Sequence, residues 1–172
     1  MEKLDLYTFE KKLANKTIIR GEKVPDGLYR FVVHACIFNS KGEMLIQRRA
    51  DDKKYWPNLW DISVGGCVSS GETSGEAITR EIKEELGIDI DLRKKAPNFT
   101  FTFEEGFDDW YFVNSDIEIK SLILQKEEVS DAKFASLAEI HSLVDSKKFI
   151  SYQKHFLDFI FEMINKDNIF TE

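Results

Sequence analysis

Cysteine, proline and long apolar runs are scarce in this chain. It has two cysteines, three prolines and no apolar stretch near the ~18 residues that would span a bilayer. Cys36 and Cys67 cannot build a disulfide framework and lack CxxC spacing, so a reducing compartment, and hence the cytoplasm, is expected. The opening "MEKLDLYTFEKK" has no apolar centre of signal-peptide length. Basic residues are also in deficit, 24 Lys and Arg against 31 Asp and Glu, for a formal net charge of −7. That balance argues against a broad footprint for a nucleic acid polymer or an anionic membrane, and leaves room for small phosphorylated ligands. No repeat and no low-complexity segment is visible. At 172 residues, 42% hydrophobic, the chain suffices for one well-buried core, so one domain over residues 1–172 is predicted.

Strand signals dominate the first third. "LDLY" (4–7) and "TIIR" (17–20) read as short strands separated by a turn-prone "EKKLANK". "RFVVHACIF" (30–38), "NSKGE" and "MLIQRR" read as a hairpin, and "DISVGG" as a strand ending in paired glycines. Helical periodicity follows over 74–86, with Thr73 and Glu76 as a capping box and Gly87 at the C′ position. Further strands are predicted at 98–104 and 110–119, a strand running into a helix over 133–144, and an amphipathic helix over 152–164. Strands around a central helix, with helices after them, point to an α/β fold in which a mixed sheet lies between helices.

The central helix gathers like charges. On a wheel of ~100° per residue, Glu84 falls near −60° and Glu85 near +40° of Glu81, while Ile78, Ile82 and Leu86 take the adjoining arc. Charge runs are usually solvated surface, but here the cost is specific. Glu81 and Glu85 repel at i,i+4 by ~0.2–0.5 kcal/mol. Glu84 and Glu85 also meet the negative end of the helix dipole, at ~0.3–1 kcal/mol. A divalent cation reverses each of these terms, and hard carboxylate oxygens favour Mg²⁺, with Mn²⁺ as a substitute. Gly65, Gly66 and Gly71 in the preceding loop allow a tight fold that could expose a carbonyl to metal or amides to phosphate.

Gly66, Glu72, Arg80, Glu81, Ile82, Glu84, Glu85, Gly87 and Ile88 match, without a departure, the signature of the Nudix hydrolases, which this stretch therefore resembles. The wider resemblance runs from about Tyr29 to Val144. It implies a Nudix α/β/α sandwich, with residues 1–30 as an N-terminal extension of short strands, 31–145 as the core and 146–172 as a C-terminal helix. It implies Mg²⁺-dependent cleavage of a phosphoanhydride in a small nucleoside-diphosphate-linked compound. Metal ligands would be Glu81, Glu84, Glu85 and the Gly66 carbonyl. Arg80 and Glu72 would complete the catalytic set by supporting the loop and helix.

The same resemblance leaves choices open. One further carboxylate among Glu104, Glu105, Asp108, Asp109, Glu127 and Glu128 would act as base or extra ligand, with the Asp108–Asp109 pair favoured because a strand begins there. The stretch "QRRADDKKYWPNLWDISVGG" is similar to the branch containing isopentenyl diphosphate isomerases, which raises proton-transfer isomerisation as the alternative. That isomerase carries cysteine, glycine and a metal-binding histidine where this chain has Gly65, Gly66 and Cys67, and its box is eroded; both differences favour hydrolysis. A non-catalytic Nudix-fold binding module is the third reading, and the complete box argues against it. Cys67 is read as a small loop or core residue, with no histidine or lysine beside it to activate a thiol. His34 is read as a satisfied core histidine. Arg48, Arg49 and Trp56 form the expected substrate-binding set, although strand alternation would turn only one arginine inward. Tyr55, Trp56 and Trp60 around Pro57 serve equally well as loop anchors. Monomer and homodimer are both compatible with the aromatic C-terminal helix.

Overall fold

Among the described residues, nine strands and three helices follow one another along the chain. They are β1 Lys3–Tyr7, β2 Leu13–Ile19, β3 Arg30–Phe38, β4 Met44–Arg49, β5 Trp60–Asp61, β6 Val64–Cys67, α1 Ser74–Leu86, β7 Phe99–Phe103, β8 Gly106–Asn114, β9 Val129–Ala135, α2 Leu137–Asp145 and α3 Lys154–Met163. A short 3-10 turn occupies Ile119–Ser121. The computed structural model describes residues 2–164, so the end of the predicted C-terminal segment, 165–172, lies outside the described residues. Strands β3–β9 belong to a seven-stranded sheet and β1–β2 form a separate pair, which gives the α/β class with a mixed sheet. Among the described residues no helix is long and apolar enough to cross a membrane.

The chain divides into two compact units. The first takes residues 2–35, 64–84 and 88–111. Within it β1 and β2 pair antiparallel, with Lys3 opposite Ile19 and Asp5 opposite Thr17. The strand β2 already begins at Leu13, inside the segment the sequence marks as a turn, because Lys11 at φ 60° turns the chain early. The first half of β3 pairs with β6, Val33 opposite Gly66 and His34 opposite Gly65. Strands β7 and β8 make a hairpin closed by Phe103 opposite Gly106. Leu4, Leu6, Val33, Val64, Ala77, Ile78 and Ile82 are buried here, and each fully buried aliphatic side chain contributes about 1.5–3 kcal/mol.

The second unit takes residues 36–63, 85–87 and 112–164. β4 pairs with β9 along its whole length, with β5 through Gln47–Asp61 and Arg48–Trp60, and with the end of β3 through Phe38–Met44. The predicted strand "DISVGG" is broken in two. Ser63 turns its hydroxyl inward, donating to the Leu45 carbonyl and accepting from the Ile37 amide, so a side chain replaces a ladder bond at the break. The core collects Ile37, Phe38, Met44, Leu45, Ile46, Ile140, Phe149, Leu157 and Ile160. The strand predicted to run to 119 ends at Asn114.

Candidate active site

Helix α1 has the predicted bounds, and its ends explain them. Thr73 Oγ1 accepts from the Glu76 amide at 3.3 Å, and Glu76 Oε2 accepts from the Thr73 amide at 2.9 Å. Gly87 ends the helix at φ 72°, the left-handed value that favours glycine. Ala77, Ile78, Ile82 and Leu86 are buried on one face, so the neighbouring carboxylates have no freedom to rotate out of register.

One guanidinium organises them. Arg80 donates from Nε to Glu72 Oε1 at 2.8 Å and from Nη2 to Glu72 Oε2 at 2.9 Å, a fork-to-fork pair. Its Nη2 also donates to the Cys67 carbonyl at 3.2 Å, tying helix to loop. Its Nη1 lies 2.9 Å from Glu81 Oε1 and 3.1 Å from Glu84 Oε2. Hydrogen bonding to Glu72, reinforced by the Glu81 charge, holds the guanidinium firmly protonated against partial burial. Burial acts to raise Glu72, but the bonds from Arg80 and from the Ser69 amide prevail and hold it below the ordinary glutamate value. Glu81 moves the other way: burial dominates and pushes its carboxyl up, with Arg80 only partly offsetting.

Gly66 and Glu81 fit each other without slack. A Cβ placed on Gly66 would lie 2.1 Å from Glu81 Oε1, so only glycine admits the carboxylate there. Glu81 and Glu85 are buried at 8% and 6% exposure, whereas the Glu84 side chain is 49% exposed. Glu85, on the same helix, accepts from Gln47 Nε2 at 2.9 Å within the second unit. Among the described residues no three His, Cys, Asp or Glu side chains are grouped closely enough to hold a metal ion by themselves. The carboxylates of Glu81 and Glu84 share Arg80, a cation, between them. Their hard oxygens, set against a glycine whose carbonyl no side chain can shield, suit a hard divalent cation.

Several residues stand differently from their sequence reading. Cys67 is not isolated from cations: Arg30 Nη1 lies 3.8 Å from its sulfur, and Arg20 also acts on it electrostatically. Burial nonetheless prevails and pushes the thiol up, which keeps it inert as expected. His34 is half-buried, with Nδ1 2.7 Å from Asp108 Oδ1 and its ring stacked on Trp110 at 4.6 Å. Asp109 is buried and accepts from Thr100 Oγ1 at 2.6 Å. The Glu128 carboxylate pairs with Lys53, while Glu104 and Glu127 are exposed.

Arg48 is exposed and Arg49 half-buried, the latter also 3.8 Å from Asp61 Oδ2. A bulge in the β4–β9 ladder sets Arg48 opposite Asp131 and Arg49 opposite Val129, with Ser130 Oγ donating to both arginine carbonyls. Both side chains then reach one loop, Arg48 Nε to the Asn58 carbonyl at 3.0 Å and Arg49 Nε to the Tyr55 carbonyl at 3.2 Å. That loop displays Tyr55 and Trp56, 61% and 54% exposed, with Trp56 at φ 51°. In the first unit a cavity of about 380 Å³ opens beside Glu72 and Thr73, with Tyr7, Lys11, Phe31 and Asp109 among its walls. No local sequence pattern marks Arg20, Arg30 or this cavity, because each depends on contacts between residues far apart in the chain.

A carboxylate helix preceded by a glycine loop, on an α/β frame, defines a class of metal-dependent phosphate-handling proteins. A NUDIX domain model matches residues 28–158, so the chain belongs to the Nudix hydrolase superfamily. An uncharacterized Nudix hydrolase of Listeria monocytogenes is 47% identical over 169 residues, covering 98% of this chain and 99% of the relative. An isopentenyl-diphosphate Delta-isomerase of Brevibacterium linens is 29% identical over 142 residues, 78% of this chain and 75% of that one. The crystal structure of DR0079 from Deinococcus radiodurans superposes with a TM-score of 0.73 at 28% identity, covering 96% of this chain and all of the other.

Proposed function

We propose that the chain is a Mg²⁺-dependent hydrolase of a phosphoanhydride in a nucleoside-diphosphate-linked or related small diphosphate, with Mn²⁺ as a substitute cation. The observation that supports this best is the seating of the Glu81 carboxylate on Gly66, with Glu84 exposed beside it and both in contact with a guanidinium that Glu72 holds from behind. Glu81, Glu84, Glu85 and the Gly66 carbonyl would hold the metal. Bound there, the cation supplies positive charge to the diphosphate oxygens and acidifies water for attack.

The chain's own residues do the rest. Glu72 keeps Arg80 extended, and Arg80 fixes both the Cys67 carbonyl and the two carboxylates, so loop and helix stay in one geometry. Glu84, the most exposed of the three, can swing without disturbing the core. The base outside the box would come from the Asp108–Asp109 pair, of which Asp108 pairs with His34 and Asp109, held by Thr100, lines the cavity beside Glu72. Arg48 and Arg49 hold the loop that carries Trp56 and Tyr55, rings suited to stacking on an organic group.

Isomerisation is the second reading, supported by the match to the Brevibacterium isomerase. The geometry at Gly65 counts against it. A Cβ there would lie 2.6 Å from the His34 ring, which leaves no room for a cysteine at that position without moving the ring. A Mg²⁺-dependent phosphate-release screen over nucleoside diphosphate derivatives, run beside an isopentenyl diphosphate isomerisation assay, tests the assignment. Hydrolysis lost in Glu84→Gln supports it; isomerisation without hydrolysis rejects it.

A further inference from the structure

The matched family domain begins at residue 28, so the β1–β2 pair lies outside it. Those strands are nevertheless wired to the box loop. Arg20 Nη1 pairs with Glu2 Oε2 at 2.8 Å, and Glu2 Oε1 accepts from Ser69 Oγ at 3.0 Å. The Ser69 amide donates to Glu72, whose other contacts pass through Arg80 to Glu81 and Glu84. The Ser70 amide donates to the Lys3 carbonyl at 2.8 Å, and Asp5 Oδ2 accepts from the Gly71 amide at 2.8 Å. Strand β1 also supplies Tyr7, and the turn that joins it to β2 supplies Lys11, to the cavity that Glu72 and Thr73 line.

Charge balance gives this attachment a purpose. Glu81, Glu84 and Glu85 carry three negative charges, and a diphosphate brings about two or three more. One divalent cation leaves a deficit, and Arg80 is already spent on Glu72. Arg20 and Arg30 are further cations at the box loop, Arg30 directly at Cys67 and Arg20 through Glu2 and Ser69. Arg30 reaches the Cys67 sulfur at 3.8 Å, and Arg20 acts on both Cys67 and Glu81. Arg20 is half-exposed, so its fork can turn from Glu2 toward a ligand.

Resting on the hydrolase reading, we infer that the N-terminal strand pair completes the substrate site, with Arg20 and Arg30 as a guanidinium clamp for the diphosphate beside Cys67. Arg20 is then a substrate-binding residue from outside the family domain, and it sets the preference for a diphosphate over a monophosphate. Guanidinium forks bind phosphate oxygens in pairs, which lysine cannot reproduce.

Arg20→Ala and Arg20→Lys test this by two independent readouts. The first is steady-state kinetics on the substrate found by the screen. The second is calorimetric binding of inorganic pyrophosphate without divalent metal, which needs no turnover. Arg20→Ala is expected to raise KM and the pyrophosphate Kd about tenfold or more, leaving kcat within about twofold, and Arg20→Lys to recover part of the loss. If Arg20→Ala is poorly folded, Arg20→Lys decides, because it keeps a charge for Glu2 but loses the fork. Unchanged KM and pyrophosphate Kd in a variant with the wild-type denaturation midpoint overturn the inference. Turnover lost in Glu84→Gln beside such silent Arg20 variants would leave the hydrolase reading standing alone. Turnover retained in Glu84→Gln would instead reject that reading.

Discussion

At the residue scale, burial and charge separate residues that hold the site together from those that act in it. Glu84 is exposed and makes one shared ion pair, so Glu84→Gln should change stability by less than about 0.5 kcal/mol. Its turnover should fall about 100-fold or more, as when one preorganised electrostatic group is removed. Urea denaturation and kcat measured on one preparation check both halves. Gly66→Ala should fail differently: the new methyl meets Glu81 Oε1 at 2.1 Å and must expel it. Turnover and about 1–3 kcal/mol of stability should be lost together, and a variant retaining both would show that the carboxylate is not seated there. The box residues were legible because their spacing is local and complete. The environment of Cys67 was not, since Arg30 stands 37 residues away and Arg20 reaches it from another strand pair. Likewise Asp108 meets His34 across 74 residues, a pairing no local pattern encodes.

At the element scale, helix ends followed from sequence while strand breaks did not. Thr73, Glu76 and Gly87 fix α1 through contacts within four residues or a single backbone angle. Strand β5 separates from β6 only because Ser63 bonds to Leu45 and Ile37, and the β4 bulge exists only in its pairing with β9. Gly87→Ala should cost about 1–2 kcal/mol, since its φ of 72° disfavours a side chain and the added Cβ would meet Ile123 at 2.6 Å. Thermal denaturation checks it. Helix α2 offers a pH test. Ser136 Oγ accepts from the Glu139 amide, and Glu139 Oε2 accepts from the Ser136 amide at 2.8 Å. The backbone bond first, and the hydroxyl second, hold the Glu139 carboxyl below its ordinary value. A lowered carboxyl stabilises the fold above the unfolded pKa of about 4.3 and loses that contribution as pH falls through the folded value. Ser136→Ala should therefore cost about 1 kcal/mol near neutrality. The Ser136 amide persists in that variant, so the pH test uses Glu139→Gln: its gap to wild type in urea midpoint should narrow as pH falls below about 5, and a gap independent of pH would mean that the cap does not hold the carboxylate.

At the scale of the whole molecule, composition and function constrain each other. A net charge of −7 makes an anionic substrate unwelcome except where cations are concentrated. The family assignment and the α/β frame were both readable from the box and the alternation of strand and helix signals. Substrate choice was not: the elements proposed for it, the loop bearing Trp56 and the N-terminal strands, take their positions from long-range contacts. On the proposed reading, Glu81, Glu84 and Glu85 tolerate their mutual repulsion because a divalent cation binds among them. Titration of Mn²⁺ followed by electron paramagnetic resonance, on the wild type and on Glu84→Gln, measures this without relying on any substrate. Saturable binding in the wild type, weakened about tenfold or more in the variant, is the predicted result. Equal affinity in the two proteins, or no saturable site in either, would contradict it.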